Sequence, residues 1–318
     1  LVASATTRSL PVVSIITVCR NAAATLDTCI TSVLAQTYPA IEYVVVDGAS
    51  TDSTADILSR HRAGIAMLLS EPDRGLYDAM NKGIRLASGE FLLFMNADDY
   101  FADAKAVEDA MAEIAAAPHA DVYYGSLLVR MSGGKVRHDP PPPEAAAEEM
   151  VLGCLPHQAT FARRAVFQRV GEFDLRWRRH ADYDWWLKVM ADPELRLGRI
   201  GRVIASYAMG GASSDLAKGQ PEVYAIQNAS PLYRSAEWDR RRLELFQQAY
   251  LKARVELTFL KAQIELSALP PEGGDGGVRQ WFLLHAPAPI VSMAVRVRTP
   301  SMVVLASIQL PMRTRPQA

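Results

Sequence analysis

Five apolar residues, Phe91 to Met95, break off abruptly into Asn96, Ala97, Asp98 and Asp99. Two adjacent carboxylates and an amide at the tip of a strand are hard oxygen donors. Mg²⁺ or Mn²⁺ binds such groups while keeping several waters and sharing a diphosphate. A cation would also relieve the repulsion between Asp98 and Asp99. The plainer role is that one of these acids caps a helix starting near Ala104. A second acidic pair lies in HADYDWWLKVM, where Tyr183, Trp186, Leu187 and Met190 share one helical face. That spacing puts Asp182 at the N-terminal end of the helix and Asp184 on its opposite side. A carboxylate so placed either takes a proton from a hydroxyl within hydrogen-bond reach or simply caps the helix.

The elements that must carry these groups alternate. Val12 to Val18 reads as a strand, followed by the polar loop Cys19, Arg20, Asn21 and a helix over 26–35. A second strand, Ile41 to Val46, ends in Asp47, and Asp52 or Ser53 can cap the next helix. A third strand, Ala66 to Ser70, leads through SEPDRG into a helix over 76–87 with Leu76, Met80, Gly83 and Ala87 as its buried stripe and with Asp78 and Asn81 off it. Phe91 to Met95 is the fourth strand, apolar throughout because both of its faces are covered. This alternation predicts an α/β fold with a mostly parallel open sheet and helices on both faces. Three strands then end in polar loops on one edge, where open α/β sheets bind ligands.

Neither a GxGxxG nor a GxxxxGK[ST] occurs, which disfavours a dinucleotide-binding domain and a P-loop NTPase. Diphosphate binding at this edge would need a metal. A helix N-terminus near Gly75 offers free N–H groups to phosphate, with Arg74 and Lys82 adding charge; the plainer reading is a capped surface helix. The net charge of −1 gives no case for nucleic-acid binding. Cys19, Cys29 and Cys154 are odd in number and unpaired in spacing, so reduced, buried thiols in a cytoplasmic protein are expected, with no zinc site. LVASATTRSLP lacks the apolar core of a signal peptide, and no apolar run approaches a membrane span.

The stretches SIITVCRN, VVVDGASTDST, SEPDRGLYDAMNKGI and FLLFMNADD, in this order, resemble family-two glycosyltransferases of the GT-A fold, particularly bacterial O-antigen and exopolysaccharide enzymes. The resemblance covers about residues 10 to 215. It implies an inverting, metal-dependent transfer of a hexose from a nucleotide-sugar donor, UDP by family habit, to a saccharide or polyprenol-linked oligosaccharide acceptor. It puts Thr17 and Asn21 in the first nucleotide-binding loop, makes Asp47 the acid that reads the base, and gives Lys82 the electrostatic grip on the donor. Asp98 matches the last acid of the DXD metal motif. Two departures stand out: Gly48 replaces a second acid after Asp47, and Asn96 replaces the first acid of DXD, with Asp99 as its compensation. Asp98 and Asp99 are thus the expected ligands of Mn²⁺ or Mg²⁺. Asp182 is the expected base, with Asp184 as the alternative, and the His157-Gln158 pair contacts diphosphate or acceptor. A sugar nucleotidyltransferase and an inactive scaffold subunit are the competing functions.

Pro140 to Pro143 should form a stiff exposed connection between a nucleotide half, about 10–139, and an acceptor half, about 144–215. Of two adjacent tryptophans, Trp186 is expected in the core and Trp185 is the freer to stack on a sugar. MGGASSD, residues 209–215, reads as a Gly-rich loop closing over donor phosphates or as a linker. Within a helical extension over 216–270, Leu243, Phe246, Tyr250, Ala253, Leu257, Leu260 and Ile264 repeat in steps of three and four. That seam packs on the catalytic domain or forms a homodimer. In the tail over 271–318, the part after Asp275 has five arginines and no Asp or Glu, interleaved with apolar runs. Peripheral contact with the cytoplasmic face of the inner membrane or an unpacked extension are its two readings.

Overall fold

A computed structural model describes residues 10–131, 133–208, 216–268, 294–299 and 302–307. The chain divides into Leu1–Leu245 and Phe246–Ala318. In the first unit, β1 (Val13–Cys19), α1 (Leu26–Leu34), β2 (Ile41–Asp47), α2 (Thr54–Arg60), β3 (Met67–Ser70), α3 (Leu76–Leu86) and β4 (Phe91–Phe94) alternate as expected. There follow β5 (Tyr100–Phe101), α4 (Ala106–Ala116), β6 (Val122–Met131), β7 (Gly134–His138), α5 (Ala146–Leu152), β8 (Thr160–Arg163) and α6 (Arg164–Val170). Then come α7 (Ala181–Ala191), β9 (Leu197–Ala208) and α8 (Leu216–Ala229). Helix α9 (Ala236–Ala268) crosses the division between the units.

The sheet runs β3-β2-β1-β4-β8-β6-β9-β5, with β7 paired to β6. β3, β2, β1 and β4 are parallel, and β8 enters antiparallel between β4 and β6. Because β1 has β2 on one side and β4 on the other, chain order reverses there, and this is where an open α/β sheet leaves a crevice for ligand. The strands read as continuous apolar runs because they are covered twice: Ile15, Val44, Val45 and Leu93 are fully buried.

Of the stripe expected on helix α3, Met80, Gly83 and Ala87 are buried and Leu76 is not; Tyr77 and Ile84 also face inward. Asp78 and Asn81 are buried as well, and each is paired. Asn81 donates from Nδ2 to the Phe173 carbonyl at 2.8 Å and accepts from Phe173 N at 2.9 Å. Asp78 accepts from Arg74 N at 3.0 Å and from its guanidinium at 3.0 Å.

The proline run is not a free spacer. Pro140 is buried, Tyr124 Oη donates to the Pro141 carbonyl at 3.0 Å, and Ser126 Oγ donates to Asp139. Both tryptophans of α7 are core residues: Trp185 stacks on Phe167 with centroids 4.6 Å apart, and Trp186 meets Tyr124 edge-on. Sugar stacking by Trp185 is thereby corrected. Helix α8 packs with the first unit, since Gln227 Nε2 donates to Val151 O at 3.0 Å and to Tyr183 Oη at 2.8 Å. Cys19 and Cys29 are buried as expected, and Cys154 is exposed.

In α9, Leu243, Tyr250, Leu257 and Leu260 of the expected seam are exposed. Within the second unit, β10 (Ala294–Thr299) and β11 (Met302–Ser307) pair antiparallel. Residues 209–215 and the rest of the tail lie outside the described residues. Among the described residues no helix is long and apolar enough to cross a membrane.

Candidate active site

The carboxyl end of β4 presents its polar residues in different directions. Asp98 is exposed. Asp99 is 1 % exposed and turns inward, where Oδ2 accepts from Gln158 Nε2 at 3.1 Å and Oδ1 from Ala208 N at 2.9 Å. Burial and the neighbouring Asp98 charge push its carboxyl up to about 6. Each oxygen thus accepts one hydrogen bond, and the residue fixes the loop behind Asp98. Gln158, itself buried, is part of that fixture. Arg130, which gave no local signal in the sequence, completes it. Its guanidinium donates to the Asp98 carbonyl, lies 3.8 Å from Asp99 Oδ1 and covers the Tyr100 ring at 4.4 Å.

Asn96 is half-buried just past the end of β4. Its Nδ2 is 3.1 Å from His157 Nε2, while Oδ1 is buried with no partner. His157 Nδ1 in turn lies 3.1 Å from Asp182 Oδ2, and Tyr77 Oη donates to Asp182 Oδ1 at 2.6 Å. A carboxylate accepts only, so Nδ1 donates to Asp182 and Nε2 is left to accept from the Asn96 amide. Asn96, His157, Asp182 and Tyr77 thus form one hydrogen-bonded row from the end of β4 to the start of α7. Asp182 keeps 14 % of its side chain exposed and His157 20 %. Burial works against the charge on Asp182. Donation from His157 and Tyr77 overrides it and holds the carboxyl below the usual range. Tyr77 was overlooked in the sequence although it stands inside SEPDRGLYDAMNKG. An aromatic at a helical core position gives no sign that its hydroxyl has a distant partner.

The other expected residues are placed as follows. Thr17 is fully buried and accepts from Tyr43 Oη at 3.1 Å, so its side chain belongs to the core and not to the nucleotide loop. Asp47, 2 % exposed, accepts from Ser50 N and Oγ and from Ser70 Oγ at 2.7 Å, which leaves neither oxygen unengaged. Asn21 sits in the left-handed region at φ 51°, and its Oδ1 accepts from Thr51 N at 2.8 Å, locking the β1 and β2 loops together. Lys82 is 2.8 Å from Glu71 Oε1, donates to the Pro72 carbonyl at 2.8 Å and is 3.8 Å from Asp78. In this arrangement its charge staples the SEPDRG turn. Asp184 pairs with Lys188 at 2.7 Å and takes no part in the His157 row.

The donors at this edge fit a divalent ion of a particular kind. Among the described residues no three His, Cys, Asp or Glu side chains converge as a metal cage. What is present is the exposed Asp98 carboxylate and the buried, partnerless Asn96 Oδ1. An ion that draws most of its ligands from water and a diphosphate needs no more than this from the protein.

The family model for glycosyl transferase family 2 matches residues 14–172. That span takes in the β4 edge and His157 and stops short of Asp182. A relative titled PGL/p-HBAD biosynthesis glycosyltransferase, from Mycobacterium tuberculosis, is 35% identical over 214 residues, covering 65% of this chain and 80% of its own. Among solved structures, Staphylococcus aureus TarS 1–349 in complex with UDP-GlcNAc gives a TM-score of 0.60 at 18% identity, covering 80% of this chain and 77% of that one. The match spans only 43% of the longer TarS chain. The mannosyltransferase PcManGT from Pyrobaculum calidifontis, in complex with GDP-Man and Mn²⁺, gives 0.54 at 19% identity, with 86% and 85% covered. These structures share the GT-A fold with this chain, and the sequence matches carry the activity class: the chain belongs to glycosyl transferase family 2.

Proposed function

We propose that this glycosyltransferase is inverting and moves a hexose from a nucleoside diphosphate, UDP in preference, to a hydroxyl of a lipid-linked saccharide in the assembly of a cell-surface glycan. The observation that carries this reading is the row joining Asn96 to Asp182 through His157. It ties the diphosphate edge of the crevice to a carboxylate at the start of the acceptor-half helix. As the acceptor oxygen bonds to the anomeric carbon, its proton passes to Asp182, and the bond from that carbon to the diphosphate oxygen breaks on the opposite face. His157 and Tyr77 fix the direction of the carboxylate and favour its ionised form. Asp98 and Asn96 Oδ1 would hold Mn²⁺ or Mg²⁺, which when bound offsets the negative charge gathering on the leaving diphosphate. Asp99, Gln158 and Arg130 keep the Asp98 loop in place.

The donor class is supported by the UDP-GlcNAc and GDP-Man named for the two structural neighbours, and the metal by the Mn²⁺ named for one of them. The relatives titled for PGL/p-HBAD biosynthesis support an acceptor of that pathway's kind over an O-antigen acceptor in particular. A panel of UDP-, GDP- and other nucleotide sugars, followed by release of free nucleoside diphosphate in Mn²⁺ and in EDTA, tests the donor half. Release from one sugar nucleotide that ceases in EDTA is expected. A chain that neither binds nor turns over any member of the panel rejects the donor reading.

A further inference from the structure

Helix α9 repeats its apolar residues every seven positions. Leu243, Tyr250, Leu257 and Ile264 take one place in the heptad, and Phe246, Ala253 and Leu260 take the place three residues on. A stripe of that period is the seam along which two helices wind together, each apolar side chain entering a hole between residues of the facing helix. Leu243, Tyr250, Leu257 and Leu260 are each more than half exposed, and Ala253 between them is exposed as well. Large apolar side chains aligned along one stripe and left in water mark a surface for a partner.

The charges flanking the seam select the partner. Glu256 stands immediately before Leu257 and Lys261 immediately after Leu260, and both are exposed. Among the described residues the ion pairs of α9 are made by Arg241, with Glu148 and Glu244, so Glu256 and Lys261 are unpaired within the chain. When two such helices lie parallel and in register, the flank before one seam residue faces the flank five residues on in the other copy. Glu256 of each copy then meets the partner's Lys261, two opposite-charge pairs from one sequence. Antiparallel winding sets like flanks together instead, and on the flank of Lys261 the other exposed charge of the second unit is Arg254, also basic.

We propose that the α9 seam takes a second copy of this chain, parallel and in register, and that crossed Glu256–Lys261 pairs fix that arrangement. Light scattering on the full chain at low salt, over a range of concentrations, tests it. A mass of two chains that falls to one on dilution is expected. The double variant Leu257→Asp/Leu260→Asp should stay monomeric throughout. Glu256→Lys alone and Lys261→Glu alone each bring like charges face to face at two sites and should weaken the dimer about tenfold. Mixing these two variants, or combining both changes in one chain, restores opposite charges and should return the wild-type affinity. A mass of one chain at every concentration overturns the proposal, and a lowered melting temperature in the double Asp variant would then assign the seam to another segment of the same chain. A dimer that survives the double Asp variant, or one whose charge variants are rescued neither by mixing nor by combination, overturns it too.

Discussion

His157 Nδ1 lies 3.1 Å from Asp182 Oδ2, although the two residues belong to separate elements and are 25 positions apart. The contact orients the carboxylate at the start of α7 and turns the other ring nitrogen toward Asn96 at the end of β4. Replacing Asp182 by Asn should remove the proton acceptor and keep the shape of the row. We expect kcat for sugar transfer to fall by about 10²–10⁴-fold, the usual contribution of a general base, with affinity for the donor nucleotide unchanged. Transfer assays paired with calorimetry on the same preparation check this, and near-normal turnover would remove Asp182 from the mechanism.

The pH profile follows from the same contacts. Asp182 is held below the usual carboxylate range despite burial, so the acid limb of kcat/KM should also fall below that range. Tyr77→Phe deletes one donor to the carboxylate and should move that limb to higher pH. The linkage has the ordinary sign for a depressed acid. The stability it confers is present above the unfolded carboxyl value and is lost as pH falls through the lower, folded one. A limb that stays in place in Tyr77→Phe would show that another group titrates there.

Asp98 and Asp99 should separate cleanly. Asp98→Ala should abolish the gain in UDP affinity on adding Mn²⁺ and leave the melting temperature nearly unmoved, because the side chain is exposed. Asp99→Ala leaves Gln158 Nε2 and Ala208 N without their acceptor and should cost on the order of 1–3 kcal/mol of stability, read by denaturant unfolding. Its carboxyl, raised to about 6, favours the neutral form in the fold. In the metal-free chain its contribution is therefore greatest below the unfolded value and declines as pH rises through about 6. Asp99→Ala should flatten that part of the stability curve.

Asn81→Ala removes both hydrogen bonds to the Phe173 backbone, leaving a buried N–H and C=O unpaired. A loss on the order of 2–4 kcal/mol is expected from two such groups, measured as a shift in denaturant midpoint at constant slope.

Much of the nucleotide half was legible because strands covered on both faces are apolar throughout and their ends are marked by Gly, Pro, Asn and Asp. β1 to β4 and the intervening helices fall within a residue or two of expectation. The same double covering hid the direction of polar residues. In a half-exposed strand, alternation says which side a threonine or aspartate faces; at Thr17 and Asp47 both sides are interior and the pattern is silent. Trp185 misled for a related reason: α7 is packed on more than one side, so leaving the main stripe did not bring it to the surface. Asp182 and His157 stood out as chemically capable, but their meeting depends on β8 slotting antiparallel beside β4, a pairing between distant segments with no local signature.

Helix α3 reaches across the molecule twice, through Tyr77 to Asp182 and through Asn81 to Phe173. Recombining such enzymes to change what they glycosylate invites a crossover in the proline run near 140, which looks like a natural seam. Here that cut would pass through matched couples, so a transplanted C-terminal portion would arrive with Asp182 and the Phe173 backbone unsupported unless positions 77 and 81 travelled with it.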